Sequence, residues 1–175
     1  MALSLTNDTI YLRALEPEDI DIIYRWENDA ALWRHGSTTA PFSRQQIWEY
    51  LQGYSADIYA QRQLRLMVCL CDGDEAVGMI DLFDFDPNNR RASVGVIVDR
   101  KHQRKGYASS ALAMLVEYSR SVLHLHQLSA QVAVDNEASM QTFDSQDFIR
   151  VGELHDWLLR DGGYIDVVQL QLILD

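Results

Sequence analysis

A chain of 175 residues with 26 acidic and 15 basic side chains, and a formal net charge of -11, is long enough for one domain (1–175) with a full hydrophobic core. Its charge has the wrong sign for a general nucleic-acid binder or for docking on anionic lipid, and its 47% apolar content is that of an ordinary globular protein. No run approaches the ~20 apolar residues of a membrane span; the N-terminus lacks the basic start of a signal peptide, and the two cysteines, Cys69 and Cys71, are too few for a disulfide framework or a zinc site, so reduced thiols in the cytoplasm and no bound metal are expected.

In chain order, Ile10 to Leu15 reads as a strand. Pro17, Glu18 and Asp19 then open a helix, since proline suits the first turn and carboxylates suit its positive end. Ile20, Ile23 and Trp26 give that helix an apolar side, and the segment from Asn28 to Phe42 is expected to be irregular. Ser43 with Gln46 forms a capping box ahead of a second helix carrying Ile47, Leu51, Tyr54 and Ile58. Three β-runs follow, Leu64 to Leu70, Val77 to Phe85 and Ala92 to Val98, separated by turn residues as in an antiparallel meander. Ala108, Leu112, Leu115, Ser119 and Val122 recur at helical spacing. A strand from Leu128 to Val134, a short helix from about Asn136 to Phe143, and two β-runs around Asp161-Gly162-Gly163 complete the chain. The order β-α-α-β-β-β-α-β-α-β-β specifies an α/β fold with a mixed, mostly antiparallel central sheet and one right-handed crossover.

Against the acidic background, the segment VDRKHQRKGYASSAL gathers Arg100, Lys101, Arg104 and Lys105 just before the long helix. A helix N-terminus already carries a positive partial charge, so cations beside it make sense if an anion sits between them. Gly106 permits a positive φ, and successive N–H groups around such a turn form a concave nest for phosphate oxygens. Neither Gly-x-Gly-x-x-Gly nor a phosphate loop closed by Lys-Ser or Lys-Thr is present.

The run QRKGYA matches the Gln/Arg-x-x-Gly-x-Gly/Ala signature of the GCN5-related N-acetyltransferases, and VAVDNEASMQTF fits the strand, Asn and short helix that follow it in that family. The chain resembles this family over nearly its whole length, most of all its spermidine and ribosomal-protein N-terminal acetyltransferases, to which GMIDLFDFDPNNRRA is also similar. The resemblance implies acetyl-CoA as acetyl donor, with Gln103, Arg104, Lys105, Gly106, Tyr107, Ala108 and Ser109 around its pyrophosphate. It also implies Val96, Ile97 and Val98 along its pantetheine arm and thioester, and Asn136 hydrogen-bonded to the pantetheine region. The acceptor it implies is a primary amine, on a small molecule such as a polyamine or an amino-sugar antibiotic or at the α-amine of a peptide or protein, and the acidic balance favours a cationic small molecule. The oligomeric state stays open, a homo-oligomer included.

The match breaks at the acid–base residues. Where many relatives have a Glu just after the Ala that opens the cofactor strand, this chain has Ser93; where many have a Tyr in the short helix, it has Phe143, which cannot donate a proton. Gln146-Asp147-Phe148 replaces the usual Leu-Gly-Phe. Candidate substitutes are Ser93 itself and Asp81, which with Asp84 lies three apart on one β-run and is expected on the opposite face from it. His35 falls in the irregular segment expected to line the acceptor site, where Trp33 is a candidate stacking residue. His124, His126 and Tyr164 read as structural, and Trp26, Trp48 and Trp157 as core. Two function classes follow: an N-acetyltransferase working by direct attack in a ternary complex, and an acetyl-CoA-binding module with weak or lost catalysis.

Overall fold

The computed structural model describes residues 5–33, 40–55 and 57–174, with the Trp33 side chain excepted; His35 and that side chain therefore lie outside the described residues. Strand β1 spans Ile10–Arg13 and leads through a 3-10 turn at Pro17–Asp19 into helix α1, Ile20–Glu27. Helices α2 (Ala30–Trp33), α3 (Arg44–Gly53) and α4 (Ile58–Gln61) precede a meander of β2 (Leu64–Leu70), β3 (Ala76–Asp86) and β4 (Arg91–Val98). Helix α5 (Tyr107–Ser121), strand β5 (Gln127–Ala133), helix α6 (Glu137–Asp144) and the hairpin of β6 (Ile149–Arg160) and β7 (Gly163–Ile173) follow. The strands form one seven-stranded sheet in the order β1-β2-β3-β4-β5-β7-β6, in which only β4 and β5 are parallel.

Two differences from the sequence reading concern helices. The segment expected to be irregular contains α2, and the second helix stops at Gly53 instead of running to Ile58. Ile58 begins a separate turn because the Asp57 carboxylate accepts the N–H groups of Tyr59 and Ala60, a local cap that restarts the helix. The Ser43–Gln46 capping box forms as read, with Ser43 Oγ accepting the Gln46 N–H at 3.1 Å.

Strand alternation sorts the interior into two clusters on either side of the sheet. Leu66, Val68, Ile80, Leu82, Val94 and Leu128 pack with Leu112 and Leu115 of α5 and with Met140 and Phe143 of α6. Met67, Cys69 and Met79 point the other way, onto Ile23 and Trp26 of α1 and Ile47 of α3. Strands β3 and β4 approach so closely at Gly78 that a Cβ there would lie 2.3 Å from the Ile97 carbonyl oxygen, so only glycine fits. Among the described residues, no helix is long and apolar enough to cross a membrane.

Candidate active site

Strands β4 and β5 pair only from Arg91 to Ser93 with Gln127 to Ser129; beyond that point they have no ladder partners in common. Each keeps its other neighbour, β3 for β4 and β7 for β5, so the sheet opens along one line while each side stays paired to its outer strand. Ser93 Oγ lies 3.2 Å from Ser129 Oγ, the last contact before the strands part. Two cavities of about 740 and about 550 Å³ meet at the opening, sharing Leu32, Val96, Ile97, Asn136 and Ser139.

The larger cavity is bounded by the basic loop. Gly106 sits at φ +81 as N-cap of α5, and Arg104 at φ +62, so the chain turns through two left-handed residues. The first bond of α5 runs from the Ser110 N–H to the Gly106 carbonyl, 3.0 Å, which leaves the N–H groups of Tyr107, Ala108 and Ser109 without helical acceptors. The space where a Gly106 side chain would stand holds no atom within 4 Å. Val96, Ile97, Val98, Gln103, Arg104, Gly106, Tyr107, Ala108, Ser109 and Asn136, all singled out from sequence, line this cavity. Lys105 does not: its exposed side chain stands off the wall. Asn136 also has a local duty, since its Oδ1 accepts the Ser139 N–H at 3.2 Å and caps α6. Leu32, His102, Gln141 and Thr142 line the cavity without having been singled out from sequence.

Helix α1 is fastened to the same loop. The buried Trp26 indole N–H donates to Asp99 Oδ2 at 2.8 Å, and Asp99 Oδ1 accepts the Lys101 N–H at 3.0 Å. Burial pushes the Asp99 carboxyl up, but these bonds and Arg25 outweigh it and hold it below the ordinary carboxylate range.

The smaller cavity is acidic. Arg65 Nε and Nη2 donate to both oxygens of Asp81 at 2.8 and 2.7 Å, and Nη1 reaches Glu27 at 3.0 Å. Burial opposes the Arg65 charge, yet Asp81 more than compensates, and its pKa is raised above the usual guanidinium value. The same guanidinium sits 5.5 Å from the Tyr50 ring centroid; burial pushes the Tyr50 hydroxyl up to about 12. Both oxygens of Asp81, a catalytic candidate from sequence, are engaged by one guanidinium, which makes it one half of a charge clamp.

Asp84 corrects a second expectation. It lines the same cavity as Asp81 rather than facing away, because a bulge between Phe83 and Asp86, with Asp84 at φ +50, breaks the two-residue alternation. Phe143 is buried in the wall, edge-on to Phe148 at 5.0 Å, and also lines the cavity. Trp157 is half-exposed and lines it as well, instead of lying in the core. Arg65 and Glu27 were not anticipated. The available signal was an arginine inside the apolar run LRLMVCL, directly opposite Asp81 in the β2–β3 register. His124, His126 and Tyr164 line neither cavity, and the one cluster of His and acidic residues close enough to hold an ion among the described residues, Glu153, His155 and Asp166, is on the β6–β7 hairpin outside both.

The acetyltransferase (GNAT) domain family matches residues 9–148. The chain is 28% identical over 171 residues to p20 of Bacillus licheniformis, an uncharacterized N-acetyltransferase, covering 97% of this chain and 96% of that one. It is 28% identical over 162 residues to the spermidine N(1)-acetyltransferase of Escherichia coli (strain K12), covering 93% and 84%. The fold superposes on the Vibrio cholerae spermidine N-acetyltransferase in complex with CoA and spermine with a TM-score of 0.86 at 24% identity, covering 96% and 97% of the two chains. It also superposes on a dodecameric structure of the Vibrio cholerae enzyme, TM-score 0.81, covering 96% of this chain and 95% of that one.

Proposed function

Because the chain belongs to the acetyltransferase (GNAT) family, we propose that it moves the acetyl group of acetyl-CoA directly onto a primary amine of a cationic acceptor in a ternary complex, the whole chain acting as one unit. The observation that carries this reading is the parting of β4 and β5 at Ser93, with a cationic, glycine-turned loop on one side and an acidic cavity on the other. The donor supplies an activated thioester. The N–H groups of Tyr107, Ala108 and Ser109, flanked by Arg104, suit its pyrophosphate. The unpaired edge of β4 at Val96 to Val98 suits the amides of its pantetheine arm, with Asn136 on the facing wall.

The acceptor must arrive as a free amine. An alkylammonium of pKa about 10.4 is neutral in roughly one molecule per thousand near pH 7.4. The cluster of Glu27, Arg65 and Asp81 carries net negative charge and attracts the cation, while Phe143 and Trp157 desolvate it, which lowers its pKa. Asp81 thus serves binding rather than proton transfer. At the leaving sulfur Phe143 offers no proton. The Ser93 hydroxyl, backed by Ser129, is the hydrogen-bond donor we assign there, and a thiol of pKa about 8.5 departs without a stronger acid.

Thiol release from acetyl-CoA over a panel of primary amines tests this reading. Turnover with cationic amines is the expected result; tight donor binding without turnover on any amine identifies a binding module instead, the reading that Phe143 and the engaged Asp81 favour. We further propose a cytoplasmic homo-oligomer. Cys69 and Cys71 are free thiols, and edge strand β6 exposes Ile149, Val151 and Leu159, a surface suited to a second copy. Light scattering at micromolar concentration tests the association.

A further inference from the structure

We propose that Arg160 is a positioning residue for the donor: from the end of β6 it fixes the β5–α6 turn through Asp135, and so sets where Asn136 meets the pantetheine arm. The proposal rests on the acetyl-CoA reading above and adds a residue that touches neither substrate.

Arg160 is an enclosed cation. Its side chain retains 7% exposure, less than half the 18% of Arg65, yet it lines neither the donor nor the acceptor cavity. Burying a guanidinium is unfavourable unless it is well paired, and Arg160 Nη1 donates to both oxygens of Asp135, at 2.9 and 2.6 Å. Strand β7 lies between β6 and β5, so this pair ties together elements that are not neighbours in the sheet.

Both ends of the tie are placed by tight turns. Asp161 at φ +52 and Gly162 at φ +81 make a two-residue hairpin turn, which sets Arg160 opposite Gly163. At the other end the β5–β7 ladder stops at Ala133 opposite Val167. The chain then turns at Val134 and Asp135, with the Asn136 N–H donating to the Ala133 carbonyl at 2.9 Å. Asn136 is the residue that leaves this turn. Its side chain caps α6 through the Ser139 N–H and lines both cavities. Its backbone, at φ -95 and ψ 70, lies outside the helical and extended regions, so its direction depends on how the turn before it is held. Tying the Asp135 carboxylate to Arg160 holds that turn, and an asparagine ordered before the donor arrives loses less freedom on binding it.

Calorimetric titration with two ligands tests the role. Acetyl-CoA carries the pantetheine arm; the donor's nucleotide half, adenosine bisphosphate, lacks it. Arg160→Gln should weaken acetyl-CoA about fivefold, the loss of one neutral hydrogen bond, and leave the bisphosphate within about 1.5-fold. Asp135→Asn loosens the same pair from the other side and must show the same selectivity. Asn136→Ser keeps a capping oxygen but withdraws the amide, so on that background Arg160→Gln should cost acetyl-CoA nothing further. Both ligands are titrated on one preparation, so a smaller folded fraction lowers the stoichiometry and not the ratio of affinities. Equal weakening of both ligands, additive losses in the double variant, or an unchanged acetyl-CoA affinity in Arg160→Gln overturns the positioning role while donor binding stands. Wild-type protein that binds acetyl-CoA no better than the bisphosphate, or not at all, overturns the donor reading and this proposal with it.

Discussion

Asp81→Asn separates a charge clamp from a catalytic base. The substitution keeps the shape and one acceptor oxygen but removes the charge from a bidentate pair with Arg65 at 2.8 and 2.7 Å. A hydrogen bond to a charged group contributes about 1.5–3 kcal/mol, and severing one partner of a fully buried pair costs about 3–5 kcal/mol. Here both side chains retain 17–18% exposure, so solvent screens part of the loss, and Glu27 still engages the guanidinium. The expected destabilisation is therefore about 2 kcal/mol, a fall in Tm of roughly 4–8 °C for a chain of this size. Thermal unfolding gives the first number. The second measurement is the pH profile of kcat/KM with a diamine acceptor. A clamp that draws in the cation should lower kcat/KM through KM and leave the shape of the profile in place, whereas loss of a base removes the rise with pH that the base produces. A variant as stable as the wild type with a flattened profile would refute the clamp and restore Asp81 as the base.

Gly106→Val places a β-branched residue at φ +81 and should abolish measurable acetyl-CoA binding by calorimetry while the protein stays folded; Lys105→Ala, off the cavity wall, should change affinity less than threefold, about 0.6 kcal/mol. Undiminished binding by folded Gly106→Val would remove the nest. Phe143→Tyr adds a hydroxyl to the wall of the cavity that Ser93 also lines, and single-turnover acetyl transfer should accelerate a few-fold if thiolate departure limits the rate, well short of the ~10²–10⁴-fold of an optimised general acid. For His155, a hydrogen bond to Asp166 at 3.1 Å raises the imidazole pKa above its ordinary 6.5, so its NMR titration midpoint should lie above that value and drop in Asp166→Asn. Its stabilising contribution is fully present below about 6.5 and lost as pH rises through the folded midpoint. A midpoint indifferent to Asp166 would contradict the pairing.

Local rules made most of the framework legible. Turn residues delimit the meander, and Gly106 with its flanking cations marks the start of α5, because these signals act within a few residues of where they are written. The acceptor side was less legible because it is made of long-range pairs and a broken alternation. Arg65 and Asp81 meet only through the β2–β3 register, so an expectation for either alone missed the clamp. Asp84 was assigned to the wrong face because its bulge depends on how β3 meets β4 near Asp86, and nothing in LFDFD announces it. Trp157 reads as core from composition, but it sits on β6, whose edge position leaves it half-exposed beside the cleft.

The bond from Trp26 to Asp99 has a thermodynamic consequence. Glu27, the next residue along α1, stands on the acceptor cavity, while Asp99 anchors the turn that opens the donor loop. Ordering one end removes freedom that the other would otherwise lose on its own binding step. A link through this bond would couple donor and acceptor, and reciprocity then requires each to change the other's affinity by the same factor. An amine should hold more firmly to enzyme carrying the donor than to bare enzyme, and the donor more firmly to enzyme carrying the amine, with Trp26→Phe lowering that shared factor.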